Sequence, residues 1–172
     1  LTVISQSSLK SITLEDIWQK GTFRTERMNE LNSMNGDFYT LLNMNRVSGT
    51  TSVDKYAYAT LEKVETIVDS KDLKGLPYFE SYVFSSDETK LLLKTESEPI
   101  YRHSEFADFF VYDIATKSLQ KVADAKVQEA TLSPDNQKIA YVFQNNIYIQ
   151  NLLDGKVTQV TFDGEKNKII NG

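Results

Sequence analysis

The sequence predicts an all-β chain of repeated four-stranded units, the pattern of β-propeller blades, with one short helix near its start. Three observations carry this. Beyond Gly21 the chain runs in stretches of four to eight residues rich in Tyr, Phe, Val, Ile and Thr, broken by Gly, Asn, Asp and Ser, which is sheet composition. The run Ser85-Ser86-Asp87-Glu88-Thr89-Lys90-Leu91-Leu92 returns 48 residues later as Ser133-Pro134-Asp135-Asn136-Gln137-Lys138-Ile139-Ala140, and a weaker copy begins at Ser33, 52 residues earlier. A second element, Tyr112 to Val122, returns as Gln150 to Val160 at an offset of 38. At about 40–50 residues per unit, the chain holds about three blades, fewer than close a propeller, so it is expected to be part of a larger one.

Taken in order, the first element is a helix. Thr13 stands at an N-cap, Asp16 follows three residues later as in a capping box, and Leu14, Ile17 and Trp18 fall on one face before Gly21 stops it. One or two turns packing that apolar face are expected. Ser48 to Ser52 reads as a polar loop. The Ser-x-Asp repeats read as tight turns, with Pro134 supplying a preset φ and Asp able to accept from backbone amides two residues on. They should join antiparallel strands 79–85 with 90–96 and 127–133 with 138–144. Asp154-Gly155 reads as a further hairpin turn. In domain terms, 1–21 is a helical segment and 22–172 a partial propeller of about three blades.

Composition and spacing exclude several chemistries. Lys and Arg number 19 against 24 Asp and Glu, a net charge of −5, so no basic field attracts nucleic acid. There is no Cys, which removes disulfides, thiolate nucleophiles and Cys-bound zinc, and His103 is the one histidine. No apolar run approaches the ~18 residues of a membrane span. No two glycines lie closer than eight residues, so neither a GxGxxG or GxxxxGK loop nor a GxSxG elbow can occur. The neighbours Glu15-Asp16 and Asp87-Glu88 fall at a helix start and in a turn, where solvated carboxylates are ordinary, and the tyrosines read as blade packing. No metal, cofactor or catalytic residue is predicted in the chain.

One segment differs in texture. Glu96-Ser97-Glu98-Pro99-Ile100-Tyr101-Arg102-His103-Ser104 places acids, aromatics, Arg and His in what reads as a loop before the strand Ala107 to Tyr112. Loops on a rigid sheet are where binding residues concentrate. Composition alone favours the plainer reading, an exposed Arg paired with a neighbouring Glu.

The motif Tyr101-Arg102-His103-Ser104, the strand Phe110 to Ile114, Ser133-Pro134-Asp135 with Lys138 to Val142, Asn145 to Ile149, and the stretch from Thr158 to Asn171-Gly172 together resemble the N-terminal part of the dipeptidyl peptidase IV family, in a bacterial-type member. The resemblance runs from about Ile12 to the end and is specific from residue 90 onward; earlier, only Leu14-Glu15-Asp16 and Thr22-Phe23-Arg24 carry it. It implies the first blades of an eight-bladed propeller that docks on an α/β-hydrolase domain absent from this chain. It implies a serine exopeptidase releasing N-terminal dipeptides from peptides with Pro or Ala in the second position. Arg102 matches the family's substrate-binding arginine, which donates to a carbonyl oxygen of the bound peptide. The family's paired glutamates and its catalytic triad would lie beyond Gly172. The resemblance further implies a homodimer in the periplasm or secreted, with no nucleic acid and no membrane span in this chain. On it rest two narrower expectations, that Arg102 points into a large cavity and that an acid holds its guanidinium, with Glu98 and Glu105 the local candidates and the glutamate pair beyond Gly172 the distal one. A non-catalytic propeller binding peptides or partner proteins is the alternative, and a plain scaffold is a third reading.

Overall fold

A computed structural model describes residues 11–23 and 28–172. The expectations for residues 1–10 and for Arg24 lie outside the described residues.

Among the described residues, twelve strands form three four-stranded antiparallel sheets, each in simple sequential order. The first blade contains β1 (Asn32–Ser33), β2 (Phe38–Asn45), β3 (Thr50–Ala57) and β4 (Lys63–Asp69). The second contains β5 (Ser81–Phe84), β6 (Lys90–Tyr101), β7 (Ser104–Asp113) and β8 (Leu119–Lys121); the third contains β9 (Gln128–Leu132), β10 (Lys138–Phe143), β11 (Asn146–Asn151) and β12 (Val157–Gln159). β5 pairs antiparallel with β6 and β9 with β10, as the repeat predicts.

The repeated turns owe their shape to local chemistry. In the second blade Ser85 N donates to the Lys90 carbonyl, Lys90 N donates to Ser85 Oγ, and the Asp87 carboxylate accepts from Ser85, from Thr89 N and from the Thr89 hydroxyl. Ser133, Asp135, Gln137 and Lys138 repeat this in the third. The Ser hydroxyls and the backbone amides hold both aspartates below the usual carboxylate range. The residue three beyond each Ser takes positive φ: Gly36 at 82°, Glu88 at 57° and Asn136 at 56°. In the second and third blades its side chain reaches back to the preceding blade's turn. Glu88 accepts from Asn35 N at 2.7 Å, and Asn136 accepts from Ser86 N at 3.2 Å while donating to the Ser86 hydroxyl at 3.1 Å.

The core lies in the two seams. Val53 and Val68 of the first blade meet Leu91, Leu93 and Tyr112 of the second over Leu76, Phe79 and Tyr82. Leu92 and Val111 of the second meet Ile139 and Tyr141 of the third over Val122 and Val127. Because successive strand residues face opposite ways, the run Leu91-Leu92-Leu93 divides between both seams. The middle blade is therefore apolar on both faces. Elsewhere two tyrosine pairs give the expected blade packing, Tyr39 stacked on Tyr56 and Tyr141 on Tyr148.

Three expectations are corrected. The helix α1 (Leu14–Trp18) has its capping box between Thr13 and Asp16, but its apolar face packs on nothing among the described residues: Leu14 is 73% and Trp18 78% exposed. Ser48 to Ser52 is not a loop throughout, since Thr50 begins β3 and Thr51 is buried. The Thr51 hydroxyl accepts from Phe79 N at 2.8 Å and its own N–H donates to Ser70 Oγ at 3.0 Å, so tertiary bonds satisfy its polar groups. Glu96 to Ser104 is not a loop either; apart from the turn at Arg102-His103 it is β-hairpin.

Candidate functional site

The hairpin between β6 and β7 is an insertion. In the third blade the corresponding strands close at once, with Phe143 paired to Asn146 and only Gln144 and Asn145 between them, both at positive φ. In the second blade Thr95 pairs with Asp108, and residues 96–107 lie between. Ten extra residues thus form an arm, and the difference between the two repeat offsets, 48 and 38, is the same ten. In a four-stranded meander this connection lies at the sheet end opposite the Ser-x-Asp turns, together with the connections that lead from one blade to the next.

The arm leaves the blade through a bulge. The register shifts between Thr95 and Glu98, and Glu96 takes φ 53°, a conformation that a β-carbon disfavours. Acidic residues along the arm's base are all engaged. The Tyr78 hydroxyl donates to Glu96 at 3.0 Å, which holds the tyrosine above its usual range. Ser97 donates to Glu80 from its N–H at 3.3 Å and from its hydroxyl. Lys126 pairs with Glu98 at 2.5 Å, which raises the lysine, and Lys94 pairs with Glu105. At the foot, Ala107 and Val127 exchange both backbone hydrogen bonds, at 3.0 and 2.9 Å.

Arg102 stands at the tip, in the turn closed by the pair Tyr101 and Ser104. It is exposed, and beside it Tyr101 is 75% exposed. Among the described residues it has no ion pair. Of the acids expected to hold its guanidinium, the two local ones do not, because Glu105 pairs with Lys94 and Glu98 with Lys126. A recess of about 290 Å³ beside the arm is lined by His103 together with Lys94, Glu105, Phe109 and Glu129, and Arg102 is not among its lining residues. Tyr78, Glu80 and Lys126 are contacts that residue-by-residue reading did not find. The unequal offsets could have located the arm, but these three residues sit in the connections between blades, where no repeat marks them.

The family model described as the dipeptidyl peptidase IV (DPP IV) N-terminal region matches residues 85–172, which include the whole arm and the third blade. The chain belongs to the dipeptidyl peptidase IV family. Within that family, it is 31% identical over 162 residues to dipeptidyl aminopeptidase B of Saccharomyces cerevisiae, covering 94% of this chain and 19% of that protein. It is 27% identical over 169 residues to the human prolyl endopeptidase FAP, covering 97% and 21%. The crystal structure of Porphyromonas gingivalis dipeptidyl peptidase 4 superposes with a TM-score of 0.71 at 31% identity, over 92% of this chain and 23% of that one. The chain thus spans about a fifth of the length of the curated relatives it matches. As a stretch of a dipeptidyl peptidase IV family propeller, its described residues form three blades and one arm, and no helix among them is long and apolar enough to cross a membrane.

Proposed function

We propose that this chain is the propeller portion of a serine exopeptidase that releases N-terminal X-Pro, and less readily X-Ala, dipeptides, and that Arg102 is one arm of its substrate clamp. The observation that supports this most is the arm itself. The third blade closes the same hairpin with two residues, whereas the second spends ten more to lift Arg102 clear of the sheet, engaging the four nearby glutamates with other partners. A guanidinium so placed offers its planar fork of donors to an external carbonyl. In this reading the catalytic Ser, Asp and His and the amine-binding glutamate pair belong to polypeptide outside these 172 residues. The remaining blades and an α/β-hydrolase domain complete the cavity that Arg102 faces, no cofactor takes part, and the protein works as a homodimer in the periplasm or secreted.

The test uses the full-length protein and a Gly-Pro chromogenic substrate. Arg102→Ala removes a charge-assisted hydrogen bond of about 1.5–3 kcal/mol, so kcat/KM should fall about 10- to 150-fold. Arg102→Lys should recover only part, since an ammonium cannot reproduce the fork. Because one relative carries the name prolyl endopeptidase, the same substrate is also assayed with its amine acetylated. An exopeptidase turns over the free amine and not the blocked one. Unchanged kcat/KM in Arg102→Ala would remove Arg102 from the site.

A further inference from the structure

We infer that Tyr78, Glu80 and Lys126 are positioning residues that hold the arm at the angle Arg102 requires; the inference rests on the clamp reading above. The geometry that carries it is two-sided. Tyr78 and Glu80 lie in the connection entering the second blade and grip Glu96 and Ser97, from 18 and 17 residues away in sequence. Lys126 lies in the connection leaving it and grips Glu98, 28 residues away. All three hold the bulge where the arm departs, and none touches the tip.

The bulge is where direction is decided. A bulge bends its strand and re-aims the residues beyond it, and the 53° φ of Glu96 persists only where its surroundings hold it. Past that point the hairpin extends to Arg102 as a lever, so a small rotation at the base becomes a large displacement of the guanidinium. Misplacement of a positioning group by about 1 Å can cost on the order of 100-fold in rate. As ion pairs and hydrogen bonds on an exposed surface, the same contacts contribute little to stability. Aim, more than cohesion, is what they supply.

The experiment is a double-mutant cycle in the full-length protein, with Gly-Pro chromogenic substrate. Tyr78→Phe, Glu80→Ala and Lys126→Ala are combined to release the base on both sides, in the wild-type and in the Arg102→Ala background. The combined variant should lower kcat/KM by about tenfold, mainly through KM, and should cost less than about twofold once Arg102 is gone. Lys126→Arg, which keeps the pair with Glu98, should behave as wild type. If Arg102→Ala is damaging while the combined variant is silent, the positioning inference falls and the clamp reading stands. Equal losses in both backgrounds mean a general structural role and also overturn it. If Arg102→Ala itself costs nothing, the clamp reading falls and takes the inference with it. Should the combined variant fold poorly, Lys126→Ala alone, crossed with Arg102→Ala, decides in the same way.

Discussion

Replacing residues 96–107 by the dipeptide Gln-Asn, the turn that closes the equivalent hairpin of the third blade, should leave the full-length protein folded and lower kcat/KM for a Gly-Pro substrate on the order of 100-fold or more. The third blade supplies the reason for expecting a fold. There the Asn145 carbonyl accepts from Asn171 N at 3.1 Å, as the Ala107 carbonyl accepts from Val127 N at 2.9 Å in the second. A two-residue turn therefore offers the connection an equivalent acceptor, and the seam clusters contain no residue between Glu96 and Ala107. What the exchange removes is the arm, with Arg102 and the charges around it. Retained activity would reduce the arm to decoration. Loss of the folded state would make it part of the blade's own core, which equally contradicts the division between blade and arm.

The second large effect concerns autonomy. Purified as a separate 172-residue piece, the chain should show no cooperative, monomeric thermal transition and should associate instead. Each seam joins two blades, so the middle blade is covered on both faces while the flanking ones are covered on one. The first blade's other face presents Tyr39 stacked on Tyr56, and Asp54, whose carboxylate is tied to Lys63 at 2.8 Å, Thr66 at 2.7 Å and Asn43 at 2.8 Å. Burial pushes Asp54 up, but those donors outweigh it and hold it below the usual carboxylate range. Large apolar side chains also stand open, among them Trp18 at 78% and Phe162 at 77%. Faces of this kind need neighbouring blades, as repeat units generally do. Calorimetry with sizing chromatography checks this, and a sharp, concentration-independent transition of a monomer would contradict it.

The contrast between the turns and the connections shows how far sequence carries. Ser85 to Lys90 and Ser133 to Lys138 are legible because the chemistry that shapes them is local: a hydroxyl, a carboxylate and two amides within six residues. The turn from Ala57 to Glu62 has the same two backbone bonds as the one from Asn151 to Lys156, yet places Leu61 at φ 58° where Gly155 stands in the third blade. Nothing in its residues announces it. Thr51 reads as loop because polarity suggests exposure, whereas bonds to Phe79 and Ser70, 28 and 19 residues away, make its burial possible. For the helix the cap is local and readable, while the packing of its apolar face is not. At the site, Arg102 is picked out by family resemblance, and its solvated, unpaired state arises from Lys94 and Lys126 claiming the nearby acids. That competition is decided by three-dimensional distance, which spacing in sequence does not encode.

The central claim, that Arg102 donates to a peptide carbonyl, is tested most directly by changing the acceptor along with the donor. An aminoacyl-pyrrolidide has a single carbonyl, and its thioamide analogue replaces that oxygen with sulfur, a much weaker acceptor. Inhibition constants for the pair, measured on full-length wild type and on Arg102→Ala, isolate the bond between this side chain and that atom. The oxo compound should bind the wild type about tenfold or more tightly than the thio compound, and the preference should vanish in Arg102→Ala. The same preference in both proteins would mean that the carbonyl finds its donor elsewhere, and the clamp assigned to this arm would be wrong.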